Sequence, residues 1–320
     1  MEVAQGIHRI EAPLGDRFVC LYLLVGDDGA LIVDTGLDET PRASLVPYLD
    51  ALHLAPEQIR YVVITHADLD HMGGNASLKA LTPNALFLCH DLDRLQIENI
   101  DRMIAERYSE FAADHGIDDS AETKAWTRAN ARGVPIDLSL TGGEKIRLAA
   151  DWQVEILHTA GHSRGHLSIH DPRSRSLIIA DASLWNAVLR KDGTPAFPPT
   201  YRYVETYLAS IQRFQGMDVD TLLTSHYPVC TGRSVAEFLG ESRAFVDRVD
   251  AALQSELRRS TVSLTTRELI ESLSPRLGQW PDAAAQNLAF PLVGHLEQLD
   301  RYGRIAAERR DGRIVWRWRD

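Results

Sequence analysis

The sequence predicts an α/β fold: a mixed sheet with helices on its outer face and a smaller helical unit towards the C-terminal end. Three observations predict it. Residues 30–64 run strand, helix, strand, the order that builds a sheet with helices packed outside. The later apolar runs Val154–Leu157, Leu177–Ala180 and Thr221–Thr224 each end within two residues of a histidine or aspartate. From about residue 235 strands give way to long helical patterns.

The elements follow in order. Residues 7–35 read as a meander: Ile7–Ala12 is a short strand, Phe18–Val25 is strongly apolar, and Ala30–Asp34 follows the turn Asp27-Asp28-Gly29. A helix over Pro41–Leu52 stops before Pro56. Tyr61-Val62-Val63-Ile64 is short, β-branched and unbroken, the signature of a buried strand. Ala85–Cys89 is another buried strand. Residues 91–131 then turn polar and helical, an insertion that serves either as a lid or as an outer packing layer. Strands return over Glu144–His158, Leu167–His170, Leu177–Ala180 and Thr221–Thr224, with a helix around Val204–Phe214. A long helix, Val235–Arg258, carries an apolar stripe that packs within the chain or across a homodimer. Helices at Thr265–Leu273 and Asp282–Tyr302 follow, the second expected to bend at Pro291. Ile305–Trp318 reads as a hairpin turned at Asp311-Gly312.

A chain of 320 residues is long enough for one large α/β domain, or for one domain with a small appendage. Its formal net charge of −11 argues against general nucleic-acid or membrane binding. Cys20, Cys89 and Cys230 are odd in number and widely spaced, as expected of reduced thiols in a cytoplasmic protein. The N-terminus lacks a basic region followed by an apolar core, so no secretory leader is expected. No run approaches the ~20 apolar residues needed to span a bilayer.

Residues 65–75, Thr-His-Ala-Asp-Leu-Asp-His-Met-Gly-Gly-Asn, place His66, Asp68, Asp70 and His71 within six positions directly after a buried strand. Carboxylates and imidazoles crowd together in this way when a cation sits between them. Further ligand-type residues close later strands or turns: His162, Asp181 and His226.

This pattern resembles the metallo-β-lactamase-fold hydrolase superfamily, with its His-x-His-x-Asp-His loop, later His, bridging Asp and final His. The resemblance covers about residues 7–232. It implies an αββα sandwich over residues 1–234, with a helical insertion at about 91–135, and a winged-helix-like unit over 235–320. It implies two divalent ions about 3.5–4 Å apart. His66, Asp68 and His162 are assigned to one, Asp70, His71 and His226 to the other, and Asp181 between them. Asp70 is expected also to orient the nucleophile. One position departs from the family: Asp68 stands where a second histidine is usual. Flavodiiron proteins of the same fold have a carboxylate there and hold iron. Three aspartates and a bridging hydroxide neutralise two divalent ions, so Asp68 is expected to favour iron or manganese over zinc, the family's commonest metal.

The expected activity is hydrolysis of a small ester, thioester or lactone by a metal-bridging hydroxide. Tyr227 and His166 are the candidate proton donors to the leaving group. Trp185, Phe197, Tyr201 and Tyr203 are candidates for a pocket wall or for core, and Arg164 and Arg190 are the nearby cations. His158 and His170 flank the His162 turn and are expected to support it, whereas His8, His53, His115 and His295 read as structural. His90 and Asp91 follow a strand end but fall outside the seven-residue set. The rival functions are a nuclease or phosphodiesterase, suggested by the winged-helix-like tail, whose Arg309, Arg310, Arg313, Arg317 and Arg319 either touch a phosphate or form a solvated face; a di-iron oxygen-reactive protein, suggested by Asp68; and a regulatory binding module using the tail.

Overall fold

A computed structural model describes residues 1–319. Two sheets lie face to face. The first has seven strands in chain order, Glu2–Ala4, Ile7–Leu14, Arg17–Gly26, Gly29–Val33, Ile59–Val63, Leu86–His90 and Leu138–Leu140. Its first four strands pair antiparallel and the rest parallel. The second runs Cys230–Thr231, Thr221–Thr224, Ser176–Ala180, Leu167–Asp171, Trp152–His158 and Lys145–Ala149.

The alternation of side chains along a strand explains why Phe18–Val25 is apolar throughout. Cys20, Tyr22 and Leu24 point at the second sheet, meeting a core that includes Leu148, Val154, Ile156, Leu167 and Ile178. Val19, Leu21 and Leu23 point the other way, against a helical layer with Leu45, Leu49, Met72 and Ile97. The outer face of the second sheet, with Leu177, Ile179 and Leu222, is covered by Tyr207, Ile211 and Phe214 of the helix Val204–Gln215. Helix, sheet, sheet, helix is an αββα sandwich.

That last layer continues into the C-terminal region. Phe238, Phe245, Val249 and Leu253 of the helix Arg233–Arg259 are buried in the same apolar cluster, so its stripe packs within the chain. Leu269 and Leu273 of Thr266–Leu277 and Leu292 and Leu296 of Ala289–Arg301 join it. A three-stranded sheet, Leu264–Thr265, Arg313–Trp318 and Ile305–Arg310, completes the region. Its hairpin turns on Asp311 and Gly312, both at positive φ, as a two-residue turn of this type requires.

The expected bend at Pro291 is corrected. Residues Asp282–Leu288 form a 3-10 turn, and a separate α-helix starts at Ala289. Pro291 therefore sits in a first turn, where its missing N–H costs no intrahelical bond. The 91–135 insertion consists of short helical pieces, including a π-helical turn at Ile104–Tyr108. Ile97, Met103 and Ile104 anchor it in the outer core of the first sheet. No helix among the described residues is long and apolar enough to cross a membrane.

Candidate metal centre

The seven predicted donors converge where the C-terminal ends of strands from both sheets meet. Asp34 ends Gly29–Val33 in the left-handed region, at φ 62°, which turns its carboxylate towards the neighbouring strand end. There Asp34 Oδ1 accepts from the Thr65 N–H at 2.7 Å, and Oδ2 accepts from Thr65 Oγ1 and His71 Nδ1, each at 2.8 Å. Thr65 Oγ1 in turn lies 2.9 Å from His66 Nδ1. With its own hydrogen given to Asp34, that hydroxyl accepts from His66. One buried carboxylate thus sets the tautomer of both histidines and leaves each Nε2 lone pair facing the site.

Asp68 precedes the short helix Leu69–Met72 with extended backbone and makes no side-chain cap, so its carboxylate is free to face inward. His226 follows Thr221–Thr224 and is oriented by a hydrogen bond from Nδ1 to the Phe18 carbonyl at 2.9 Å. His162 sits in the turn after Gly161, whose φ of 147° only glycine adopts freely. Asp93 steadies this turn from the insertion, accepting from Ser163 Oγ at 2.5 Å and from the Gly165 N–H at 2.8 Å.

The donors form three overlapping groups: His66, Asp68 and His162; Asp70, His71 and His226; and His66, His71 and Asp181. Asp181 Oδ2 stands 3.6 Å from His71 Nε2 and 3.3 Å from His226 Nε2, while Asp70 Oδ2 stands 3.9 and 3.5 Å from the same two atoms. His66 Nε2, His71 Nε2 and Asp181 Oδ1 are buried with no hydrogen-bond partner. Polar atoms orphaned together in this way cost free energy unless a cation satisfies them. Donors around an ion at about 2.0–2.2 Å stand roughly 3.3–3.6 Å apart, so the residues present fit a divalent metal.

Electrostatics follow from burial and pairing. For His71, burial favours the neutral form, but Asp181, Asp34 and Asp70 outweigh it and hold the pKa well above the ordinary value. His226 is raised in the same way, burial being overcome by Asp181 and Asp70. Asp181 goes the other way: burial resists ionisation, yet His226 and His71 hold it well below the carboxylate range. Burial and then Arg107 lower His162 to about 4.

Arg107 was missed in the sequence. It comes from the π-helical turn of the insertion, is 6% exposed, and grips Asp68 in a two-pronged pair, Nε to Oδ1 at 3.1 Å and Nη2 to Oδ2 at 3.2 Å. Its Nη1 donates to the His162 carbonyl at 3.2 Å, and its guanidinium packs 4.5 Å from the Phe290 ring centre. Opposed to burial, Arg107 is the largest influence holding Asp68 well below the carboxylate range. Tyr108, the next residue, accepts from the Leu69 N–H at 2.9 Å. No periodicity marks either residue. The only clue was a polar insertion placed between site-bearing strands.

A cleft of about 190 Å³ opens over the donors, lined by Asp68, Asp70, His162, Asp181, His226, Arg107 and Tyr108, with Phe197, Phe290, Arg17, Asp119, Thr200 and Asn287. Of the predicted aromatics only Phe197 lines it. Tyr201 is core, its hydroxyl 3.0 Å from His295 Nε2, and Trp185 packs against the same core. Tyr203 lines a neighbouring cavity.

Neither expected proton donor is placed for that task. Tyr227 is buried in the apolar cluster and donates to the Leu184 and Ala187 carbonyls at 2.7 and 3.0 Å. His166 stacks on His66 at 4.9 Å, its Nδ1 3.0 Å from Thr159 Oγ1, and does not line the cleft. His158 supports the His162 turn through Nε2 and the Arg164 carbonyl at 2.8 Å, and it stacks on His90. His170 makes no such bond; it lies in the strand Leu167–Asp171. Arg164 packs on Tyr203, and Arg190 pairs with Asp16.

Comparison with known proteins identifies the fold and the family. The sequence profile of the "Metallo-beta-lactamase superfamily" matches residues 14–226. A metallo-beta-lactamase family protein from Thermus thermophilus superposes with a TM-score of 0.79 at 22% identity, over 99% of this chain and 100% of its own. Among curated relatives, the acyl-coenzyme A thioesterase MBLAC2 of Bos taurus is 26% identical over 176 residues, 50% of this chain and 57% of that protein. An N-acyl homoserine lactonase of a Bacillus species is 24% identical over 193 residues, 52% of this chain and 65% of that protein. The chain therefore matches less than two thirds of the length of either relative. With about two thirds of its own length matched by the superfamily profile, the chain belongs to the metallo-beta-lactamase superfamily.

Proposed function

We propose that the protein is a metal-dependent hydrolase of a small ester, thioester or lactone. The observation that carries this reading is the set of seven convergent donors, three of their atoms buried without partners, beneath a cleft with Phe197 and Phe290 in its walls. The names of the thioesterase and lactonase relatives support the reaction class.

His66, Asp68 and His162 would hold one divalent ion, and Asp70, His71 and His226 the other, with Asp181 shared. When bound, such ions acidify a water and polarise the acyl oxygen. The chain's own residues do the rest. Asp70 lines the cleft and would orient the attacking water and carry its proton to the leaving group. Phe197 and Phe290 exclude solvent from the acyl part, and a cleft of about 190 Å³ restricts that part to a small group. Asp34, directly for His71 and through Thr65 for His66, keeps the imidazoles in the tautomer that presents Nε2.

Arg107 revises the expected metal preference. Asp68 adds one negative charge relative to a histidine, but Arg107 cancels it. While Arg107 stays on Asp68, the charge of the centre equals that of the usual imidazole set, which favours zinc; only the hardness of the carboxylate oxygen still favours iron or manganese. The nuclease reading has no comparable support. Arg309, Arg310 and Arg313 are engaged by Asp114, the Ser263 carbonyl and the Ala112 and Ala113 carbonyls.

The test is elemental analysis of protein purified without added metal, followed by turnover of p-nitrophenyl acetate, a simple thioester and a γ-lactone. Activity lost to a chelator, restored by metal and reduced about 100-fold or more by Asp70→Asn is expected. Turnover indifferent to both would overturn the proposal.

A further inference from the structure

The two groups of donors differ in one respect. In the group around Asp181, His71 Nε2 and Asp181 Oδ1 have no partner, and each histidine Nε2 stands 3.3–3.9 Å from the Asp70 and Asp181 carboxylates. In the group around Asp68 two donors are already engaged. His162 Nε2 lies 2.8 Å from Asp68 Oδ2 and 3.1 Å from Arg107 Nη2. As an acceptor from Arg107 its lone pair is taken; as a donor to Asp68 it has no lone pair to offer. Asp68 Oδ2 also accepts from Arg107 Nη2. Only His66 Nε2 remains unpartnered there.

We infer that Arg107 makes the two half-sites unequal: the Asp70, His71, His226 and Asp181 group binds the first ion, and the His66, Asp68 and His162 group takes a second only when Arg107 turns away. The inference rests on the proposed metal centre. A divalent ion among His66, Asp68 and His162 would meet a buried guanidinium already bonded to two of its three ligands, and the like charges repel in a medium of low dielectric.

The fold provides a place for the guanidinium to go. Arg107 lines not only the cleft over the donors but also a second cavity of about 540 Å³ on the insertion side. Arg107 is thus the partition between the two. The second cavity also carries Glu106 and Glu110, which already pair with Arg102 and Arg202, so a guanidinium that has turned out would share their carboxylates. The π-helical turn that carries Arg107 is itself an uncommon backbone, of the kind that recurs at functional sites. Arg107 is therefore a positioning residue that governs how many ions the site holds.

The experiment is a calorimetric titration of the full-length, metal-stripped protein with zinc chloride, with bound zinc counted by elemental analysis. Wild type should show one tight equivalent and a second that is weaker by about 10–100-fold. Arg107→Met should tighten the second step by that factor, whereas Arg107→Lys, which keeps the charge, should leave it weak. Two equal equivalents in wild type, or an unchanged second step in Arg107→Met, would overturn the inference while leaving the metal centre intact. No zinc binding at all would overturn both. If Arg107→Met does not fold, the order of loading still decides. His226→Ala should remove the tight step and His162→Ala should spare it; the reverse result refutes the inference.

Discussion

Asp34 touches no cleft, yet replacing it by asparagine should disable the site. The side chain is 1% exposed and keeps its shape in the variant, and asparagine tolerates the positive φ at this position. What changes is the count of acceptors. Asp34 accepts three hydrogen bonds, one on Oδ1 and two on Oδ2. An amide has one acceptor oxygen and one donor nitrogen. With the nitrogen at the Oδ1 position, the buried Thr65 N–H faces another donor and is orphaned. With the nitrogen at the Oδ2 position, His71 must accept on Nδ1, and its Nε2 then carries a proton that points into the donor cluster. Thr65 Oγ1 also loses its acceptor, and with it the constraint on His66.

Either arrangement costs about 2–3 kcal/mol of stability, the loss of hydrogen bonds to a buried charge. Partners of this kind, one bond removed from a metal ligand, change metal affinity by about 10–100-fold. Chelator-competition titration with zinc measures the affinity, and thermal unfolding of the metal-free protein measures the stability. Thr65→Val separates the two arms, since it frees His66 and leaves the bond between Asp34 and His71. Asp34→Asn with zinc affinity within about threefold of wild type would refute the tautomer argument.

Other outcomes follow from the same geometry. Gly161→Ala would drive a Cβ onto Tyr207 Cα at a φ of 147°, so it should cost about 2–3 kcal/mol and displace His162, read by unfolding and by zinc stoichiometry. Tyr227→Phe should lower stability by about 1–2 kcal/mol while leaving turnover of esters with good leaving groups nearly unchanged; a hundredfold loss of kcat would return Tyr227 to the proton-donor role. Zinc affinity should fall as pH falls through the raised pKa values of His71 and His226, by about tenfold per pH unit for each proton displaced, and titrations between pH 6 and 8 test this. In the metal-free protein the raised histidines contribute stability that is fully present below about 6.5 and lost as pH rises through their folded values. Asp181, being depressed, contributes stability present above about 3.9 and lost as pH falls.

The seven candidate donors were legible in the sequence because they cluster in the loop and short helix Leu69–Met72 after one buried strand, in a glycine turn, or just past the end of a later strand. The sandwich was legible for a related reason: a run such as Phe18–Val25 is apolar on both sides only if both sides are covered. Neighbourhood along the chain misled where direction mattered. Tyr227 follows His226 in a bend just past Thr221–Thr224, where the one side chain turns to the donor cluster and the other into the apolar cluster. Arg107 was illegible because its partner lies 39 positions away, and no local pattern encodes an ion pair across that distance. Counting charges within the His-x-Asp-x-Asp-His loop therefore gave a sum that the insertion changes.

That correction alters what the most natural substitution should do. Asp68→His restores the superfamily's usual motif, and the loop taken alone predicts a shift towards zinc. In the folded chain the same change removes the counter-charge of Arg107, which is 6% exposed, and sets the guanidinium against an imidazole. Breaking a buried pair by removing one partner costs about 3–5 kcal/mol in comparable cases; here Asp68 keeps 14% of its side chain accessible, which places the expected loss nearer 2–3 kcal/mol. Asp68→His should therefore lower both stability and zinc content at this half-site. Asp68→His combined with Arg107→Met removes both charges and should recover much of each, so the two changes are non-additive in the favourable direction. A double-mutant cycle on unfolding free energy and on bound zinc measures the coupling. Additive losses would mean that Asp68 and Arg107 act separately, and the charge of the centre would then have to be counted from the loop alone.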